Sequence, residues 1–157
     1  DDLFFDGGRV GIGRLSTTNT LEVEGSASKT TAGSWLANSD RRIKENVRQV
    51  EDALEKIMAI RLVDFEYTDA YKAAHPSVED GRRYPNVVAQ EFAEVFPDWV
   101  DGSGEQLPGG GGEILQVDTY PLTIYSAAAI QELADENAEL RGRVEKLEEA
   151  LQELLEK

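Results

Sequence analysis

The sequence predicts a mixed α+β protein: a small globular domain with one long C-terminal helix, preceded by a short β-rich segment. Three observations carry this. Residues 1–38 are rich in Gly, Ser and Thr and alternate apolar with polar residues over a few positions at a time. Residues 39–125 mix helical and strand patterns, and residues 126–157 hold an unbroken heptad seam. The chain has 157 residues, 40% of them hydrophobic, enough for one ordinary domain with extensions. It opens on Asp1 and not Met, and so reads as part of a longer protein. With 16 basic against 31 acidic residues the net charge is −15. That excludes nucleic acid and anionic membrane surfaces as partners, since both call for a basic face. No apolar run reaches membrane-spanning length. Cysteine is absent, which removes disulfides and thiolate metal sites, and a single histidine makes no metal cluster. No cofactor is expected.

In residues 1–38, Val10-Gly11-Ile12-Gly13 and Leu21-Glu22-Val23-Glu24-Gly25 read as short strands with glycine turns. Their apolar mass is too small for a core of their own. They are expected to form the end of a β-structured stalk, stabilised by stacking or by wrapping with other chains; a disordered linker is the bland alternative. Between Glu51 and Ile60, the residues Ala53, Leu54, Ile57, Met58 and Ile60 recur at helical spacing. Leu62–Tyr67 places Val63, Phe65 and Tyr67 on one face of a strand. Residues 68–85, with His75-Pro76 and Asp80-Gly81, read as an exposed loop. Val87-Val88-Ala89 is a short strand candidate, and Gln90–Phe96 a short helix stopped by Pro97. Residues 101–112 read as a glycine-rich loop and Glu113–Val117 as a further strand.

Residues 121–157 form one long helix, with Pro121 tolerated in its first turn. Ile130, Leu133, Asn137, Leu140, Val144, Leu147, Leu151 and Leu154 step alternately by three and four, as in a coiled coil. Ile130, Asn137, Val144 and Leu151 occupy position a, and every d position is leucine. Glu136 with Arg141 and Arg143 with Glu148 stand in the g-to-e relation. β-branched a residues over leucine d residues lean towards two chains, while Asn137 fixes register without fixing the number. A single amphipathic helix lying on its own domain is the alternative.

One pattern carries chemistry. Ser39 precedes Lys44 by five residues, in a basic cluster with Arg41, Arg42 and Arg48 inside an acidic chain. A lysine can act as general base for a serine when burial or neighbouring cations favour its neutral form. The bland reading makes Ser39 a helix N-cap and Lys44 a solvated cation. His75, in a polar loop beside Pro76, makes a Ser-His-Asp triad improbable on spacing. Gly109–Gly112 is not a phosphate loop, because no Lys-Ser/Thr pair follows it. Trp35 and Trp99 are expected to pack.

The run Ser39-Asp40-Arg41-Arg42-Ile43-Lys44-Glu45-Asn46-Val47 resembles the opening motif of the self-cleaving C-terminal intramolecular chaperone domains of phage tailspikes and tail fibres, the endosialidase type, found also in myelin regulatory factor. Further similarities follow in order: Ala53–Ile57 with Phe65-Glu66-Tyr67, then Val88-Ala89-Gln90-Glu91 with Val95-Phe96-Pro97, then Val117–Tyr120 leading into Ala129–Leu133. The resemblance spans about residues 39–157. It implies a homotrimer that promotes folding of its own upstream stalk, its client and substrate, and then cuts itself off at Asn38–Ser39. Ser39 is then the nucleophile and Lys44 the general base, with Asp40, Arg41, Arg42, Asn46, Gln90 and Glu91 as supporting positions. The parent protein would belong to a phage tail or a bacterial surface fibre. The family implies three chains where the heptads alone lean to two. Asn86 and Val87 stand where the family often has glycine; Asn tolerates a left-handed backbone, so the turn is expected to persist. A non-catalytic trimerisation and attachment module is the alternative function, and an acidic adaptor with a dimeric coiled coil a third.

Overall fold

The computed structural model describes residues 3–32 and 34–156. They form two compact units. One holds the residues before Arg48 together with Arg61–Val117; the other holds Arg48–Ile60 and the residues from Asp118 onward.

The first unit begins with a three-stranded sheet. Strands β1 (Leu3–Asp6) and β2 (Arg9–Ile12) pair antiparallel, with Phe5 opposite Val10 and Asp6 opposite Arg9. The two-residue turn between them is Gly7-Gly8, both at positive φ, as a tight hairpin with the right twist requires. Strand β3 (Leu21–Val23) pairs parallel to β2, with Gly11 opposite Glu22. A parallel return over so short a connection is unusual. The Glu22 carboxylate makes it possible by accepting the backbone N–H groups of Thr17, Thr18 and Asn19 at 2.8–2.9 Å. Strand β1 was not foreseen from the residue pattern.

The rest of this unit is α+β. Strand β4 (Val63–Phe65) pairs antiparallel with β5 (Tyr84–Asn86). The expected strand at Val87-Val88-Ala89 therefore lies three residues earlier, and Ala89 already opens helix α3. The expected loop 68–85 is corrected too: it contains helix α2 (Asp69–Ala74), capped by the Thr68 hydroxyl, which accepts from Tyr71 N. Helix α3 (Ala89–Val95) buries Phe92 completely, with Phe96 and Val87 beside it in the core. Strands β6 (Val100–Gln106) and β7 (Glu113–Val117) form a bulged hairpin against α3. Half of the expected 101–112 loop, Asp101–Gln106, is thus strand. Glycine within β6 is accommodated by the bulge, which the glycine-rich composition concealed. Asn86 is not among the residues of positive φ; among the described residues those outside glycine are Asn46 and Asp52.

In the second unit, helix α1 (Ala53–Ala59) packs on helix α4 (Tyr120–Leu155). Small side chains, Ala53 and Ala129, are buried and let the two helices approach. Asp52 gives α1 no side-chain cap; Glu132 of α4 does so, accepting from Ala53 N at 2.9 Å and Leu54 N at 2.8 Å. Those amides hold the Glu132 carboxyl below the usual carboxylate range. Beyond this contact, Ile130, Leu133, Leu140, Val144, Leu147, Leu151 and Leu154 are all exposed in the single chain. The Asn137 amide donates to Leu133 O of its own helix at 2.7 Å. Among the described residues no helix is long and apolar enough to cross a membrane.

Candidate functional site

Asp40 caps a single 3₁₀ turn, Arg41–Ile43, by accepting from Arg42 N at 2.8 Å. It is therefore Asp40, and not Ser39, that serves as the cap. The turn is closed by Ile43 N to Asp40 O and Lys44 N to Arg41 O. Its tight winding carries Lys44 back over the residue before the cap, where Lys44 Nζ donates to Ser39 Oγ at 2.7 Å. The pair with the sequence spacing of a hydroxyl and its base is thus in hydrogen-bond contact.

The neighbouring charges are spoken for. Arg42 grips Asp40 with two groups, Nε at 3.0 Å and Nη2 at 2.6 Å. This ion pair holds the Asp40 carboxyl below its usual range and raises Arg42 above its own. Asp40 is thereby kept from pairing with Lys44, and the repulsion expected of Arg42 is offset in the same stroke. Arg41 donates to the Lys44 backbone carbonyl at 2.9 Å, which ties the end of the turn. Two residues on, Asn46 has φ +50°, a left-handed position that reverses the chain and that Asn tolerates.

Two expectations fail for the single chain. Ser39 and Lys44 are both exposed, so the burial that a neutral lysine calls for is not provided here. Trp35, expected to pack, is largely exposed, as are Leu36, Ile43 and Val47 around the pair. Gln90 and Glu91 also take other places. Glu91 is engaged by Arg61, whose Nε lies 2.8 Å from it. Gln90 is an exposed residue of the first turn of α3 and lines a cavity with Asn86, Val87 and Gln116. Among the described residues no hydrogen bond joins either of them to Ser39 or Lys44.

A second cluster escaped sequence reasoning. His75, read as a loop residue, is the C-terminal cap of α2 and is 7% exposed. Its Nδ1 lies 3.1 Å from Glu24 Oε2 and its Nε2 2.5 Å from Glu105 Oε1. The ring stacks near Tyr71, centroids 4.1 Å apart. Ser77 donates to Glu24, and Arg14 lies 3.3 Å from Glu22 and 3.5 Å from Glu105. The partners come from segments tens of residues apart, so no spacing in the sequence announces them.

Residues 39–101 match the family model described as "Chaperone of endosialidase". That segment is similar to endosialidase-type chaperone domains. The match begins at Ser39 and takes in the whole Ser39–Lys44 turn, α1, α2 and α3. A solved structure described as "Crystal structure of a novel intramolecular chaperon" is similar at 16% identity and a TM-score of 0.42, covering 62% of this chain and 99% of that one. No curated protein matches. The matched segment thus opens on the residue whose hydroxyl meets Lys44.

Proposed function

We propose that this chain is an intramolecular chaperone that trimerises, promotes folding of an upstream fibre or tailspike stalk, and then cuts itself at Asn38–Ser39. The observation that carries the cut is the 2.7 Å contact between Lys44 Nζ and Ser39 Oγ at the first residue of the matched domain. Ser39 Oγ attacks the Asn38 carbonyl carbon while neutral Lys44 takes its proton. The C–N bond breaks, and Lys44 returns the proton to the Ser39 nitrogen. Water then hydrolyses the resulting ester, leaving a carboxylate on Asn38 and a free amine and hydroxyl on Ser39.

In this reading residues 1–38 are the stalk end, 39–125 the cutting domain and 126–157 the coiled-coil helix. The exposed heptad seam of α4 supports assembly, because seven large apolar side chains on one helix need a cover. Association of three copies supplies the desolvation that the exposed pair lacks, which makes cutting follow assembly. It also answers a kinetic problem: stalk strands that pair between chains nucleate slowly unless the chain ends are held together. Removing the domain afterwards traps the stalk kinetically. The parent protein would serve in a phage tail, folded in the host cytoplasm, or in a bacterial surface fibre.

Exposure of Ser39 and Lys44 favours a second reading, a non-catalytic trimerisation module in which the segment is a structural turn. Intact-mass spectrometry of the folded chain separates the two. Cutting predicts two fragments meeting at Asn38–Ser39 in the wild type and one intact mass for Ser39→Ala; an uncut wild type supports the module. Light scattering checks the assembly, with a trimer mass expected and a monomer or dimer contradicting it.

A further inference from the structure

Among the described residues every buried hydrophobic side chain (Ala53, Val87, Phe92, Phe96 and Ala129) follows Ser39. The β1–β3 sheet before it is therefore held to the rest of its unit by polar contacts. Thr17 Oγ1 donates to Ser103 O at 2.7 Å and Asn19 Nδ2 to Gln116 Oε1 at 3.3 Å. Gly104, at φ +75°, lets β6 come so close to Thr17 that a Cβ there would collide with its side chain. Both polar bonds sit at exposed positions. The sheltered part of this junction is the buried imidazole of His75 between Glu24 and Glu105, with Arg14 3.5 Å from Glu105 beside it.

That arrangement makes a demand on protons. A neutral imidazole offers one N–H and one lone pair; only the imidazolium donates from both nitrogens. Here both nitrogens face carboxylates, with Glu22 as a third acid and Arg14 as the nearby guanidinium. Tyr71 covers the ring from α2, Ser77 donates to Glu24, and the paired Glu79 and Arg82 border the same cleft. With His75 charged, both contacts are charge-assisted hydrogen bonds. With it neutral, one lone pair is aimed at a carboxylate in a place water scarcely reaches, an arrangement that costs stability.

We propose that His75 is a protonation-dependent clamp: its imidazolium binds the acidic side chain of Glu24 and so holds the N-terminal sheet on the chaperone domain. The upstream piece is let go when that imidazole loses its charge. Given the cut proposed above, the clamp is a binding site for the cleavage product, an acidic extended segment, and its charge decides whether the two pieces part. The acid side has its own limit. Burial raises the Glu24 carboxyl, but Ser77 and His75 outweigh that and leave it below its usual range. Glu24 therefore holds above the ordinary carboxylate range and lets go as pH falls through its lowered value.

His75 is the one histidine, so its ring signals in a ¹⁵N-histidine NMR spectrum are unambiguous. The experiment uses the Ser39→Ala chain, which cannot cut through Ser39, so failure of the clamp and failure of the cleavage reading stay distinct. Both ring nitrogens are expected to carry protons while the sheet is held, as donation to both carboxylates requires. As the ring deprotonates, amide protection factors in β2 and β3 should fall about tenfold, with α3 unchanged. His75→Gln should hold that protection at the level the wild type reaches once its ring is neutral, and Glu24→Gln should remove its dependence on the charge of the ring. A ring protonated on one nitrogen throughout, or β2–β3 protection that neither variant changes, overturns the proposal. Should His75→Gln also strip protection from α3, Glu24→Gln alone decides.

Discussion

Two polar clusters in this molecule pair a titratable base with oxygen partners, and they are built in opposite ways. Ser39 and Lys44 meet through one turn of local chain, at the surface, with Asp40 and Arg42 beside them paired to each other. Glu24, His75 and Glu105 meet through three separate segments, with the imidazole buried and both carboxylates half-buried around it. Local geometry needs no core: a capped 3₁₀ turn delivers a 2.7 Å contact in a single exposed chain. What it cannot deliver is desolvation, which must come from elsewhere. The second cluster has desolvation from its own fold, and its contacts depend on that fold being intact.

The sharpest way to break this comparison is Lys44→Ala. If the local turn supplies chemistry and little stability, self-cleavage measured by gel should vanish while the thermal midpoint stays at the wild-type value. A variant that still cuts removes Lys44 from the mechanism; one that melts early makes the turn structural. Next comes the source of desolvation. Leu140→Asp with Leu147→Asp places charges on the exposed α4 seam and should abolish both assembly, by light scattering, and cutting. Cutting that persists in a monomer would mean that the exposed pair is competent alone.

The same contrast explains what was legible in the sequence. Ser39–Lys44 could be read because everything that forms it lies within six residues. Helices α1, α3 and α4 and strands β4 and β7 announced themselves by periodicity, and the heptads of α4 by their regular step. Strand β6 did not, because its glycines read as loop while its pairing with β7 and its bulge are tertiary facts. Helix α2 was hidden by its brevity, six residues set by a Thr68 cap. His75 was misplaced for a deeper reason. Its partners lie 51 and 30 residues away, and neither burial nor proximity over such distances leaves a trace in local pattern. Gln90 and Glu91 make no hydrogen bond to Ser39 or Lys44 in the single chain, because adjacency in a motif does not by itself place side chains at the same site.

A smaller effect tests the non-local side. Glu22 is 9% exposed. Burial would raise its carboxyl, but the amides of Asn19, Thr18 and Thr17, with Arg14, hold it at about 2 against an ordinary 4.5. A carboxyl lowered on folding stabilises above its ordinary value, and that stabilisation is lost as pH falls from about 4.5 towards 2. The shift corresponds to about 3 kcal/mol at neutral pH. Glu22→Ala should therefore lower the opening free energy of β1–β3 by roughly 2–3 kcal/mol at pH 7, measured by hydrogen exchange, with the difference from wild type vanishing in strong acid. An equal difference at both pH values would mean that packing, and not the carboxylate, holds the loop.

The smallest expected effect lies in the local turn and asks how far it depends on one backbone angle. Asn46, at φ +50°, lies two residues beyond Lys44. A residue with a Cβ and no tolerance for that region costs about 1–2 kcal/mol there, while glycine costs little. Asn46→Ala should therefore shift the chain leaving Lys44 and slow self-cleavage severalfold, and Asn46→Gly should cut at close to the wild-type rate. Time courses of fragment appearance on a gel read both. If Ala and Gly behave alike, the left-handed angle is incidental, and the turn that joins Lys44 to Ser39 is held by Asp40 and Arg41 alone. If Gly restores what Ala loses, the Asn in this motif is there for its backbone, and the local cluster extends past the residues that touch one another.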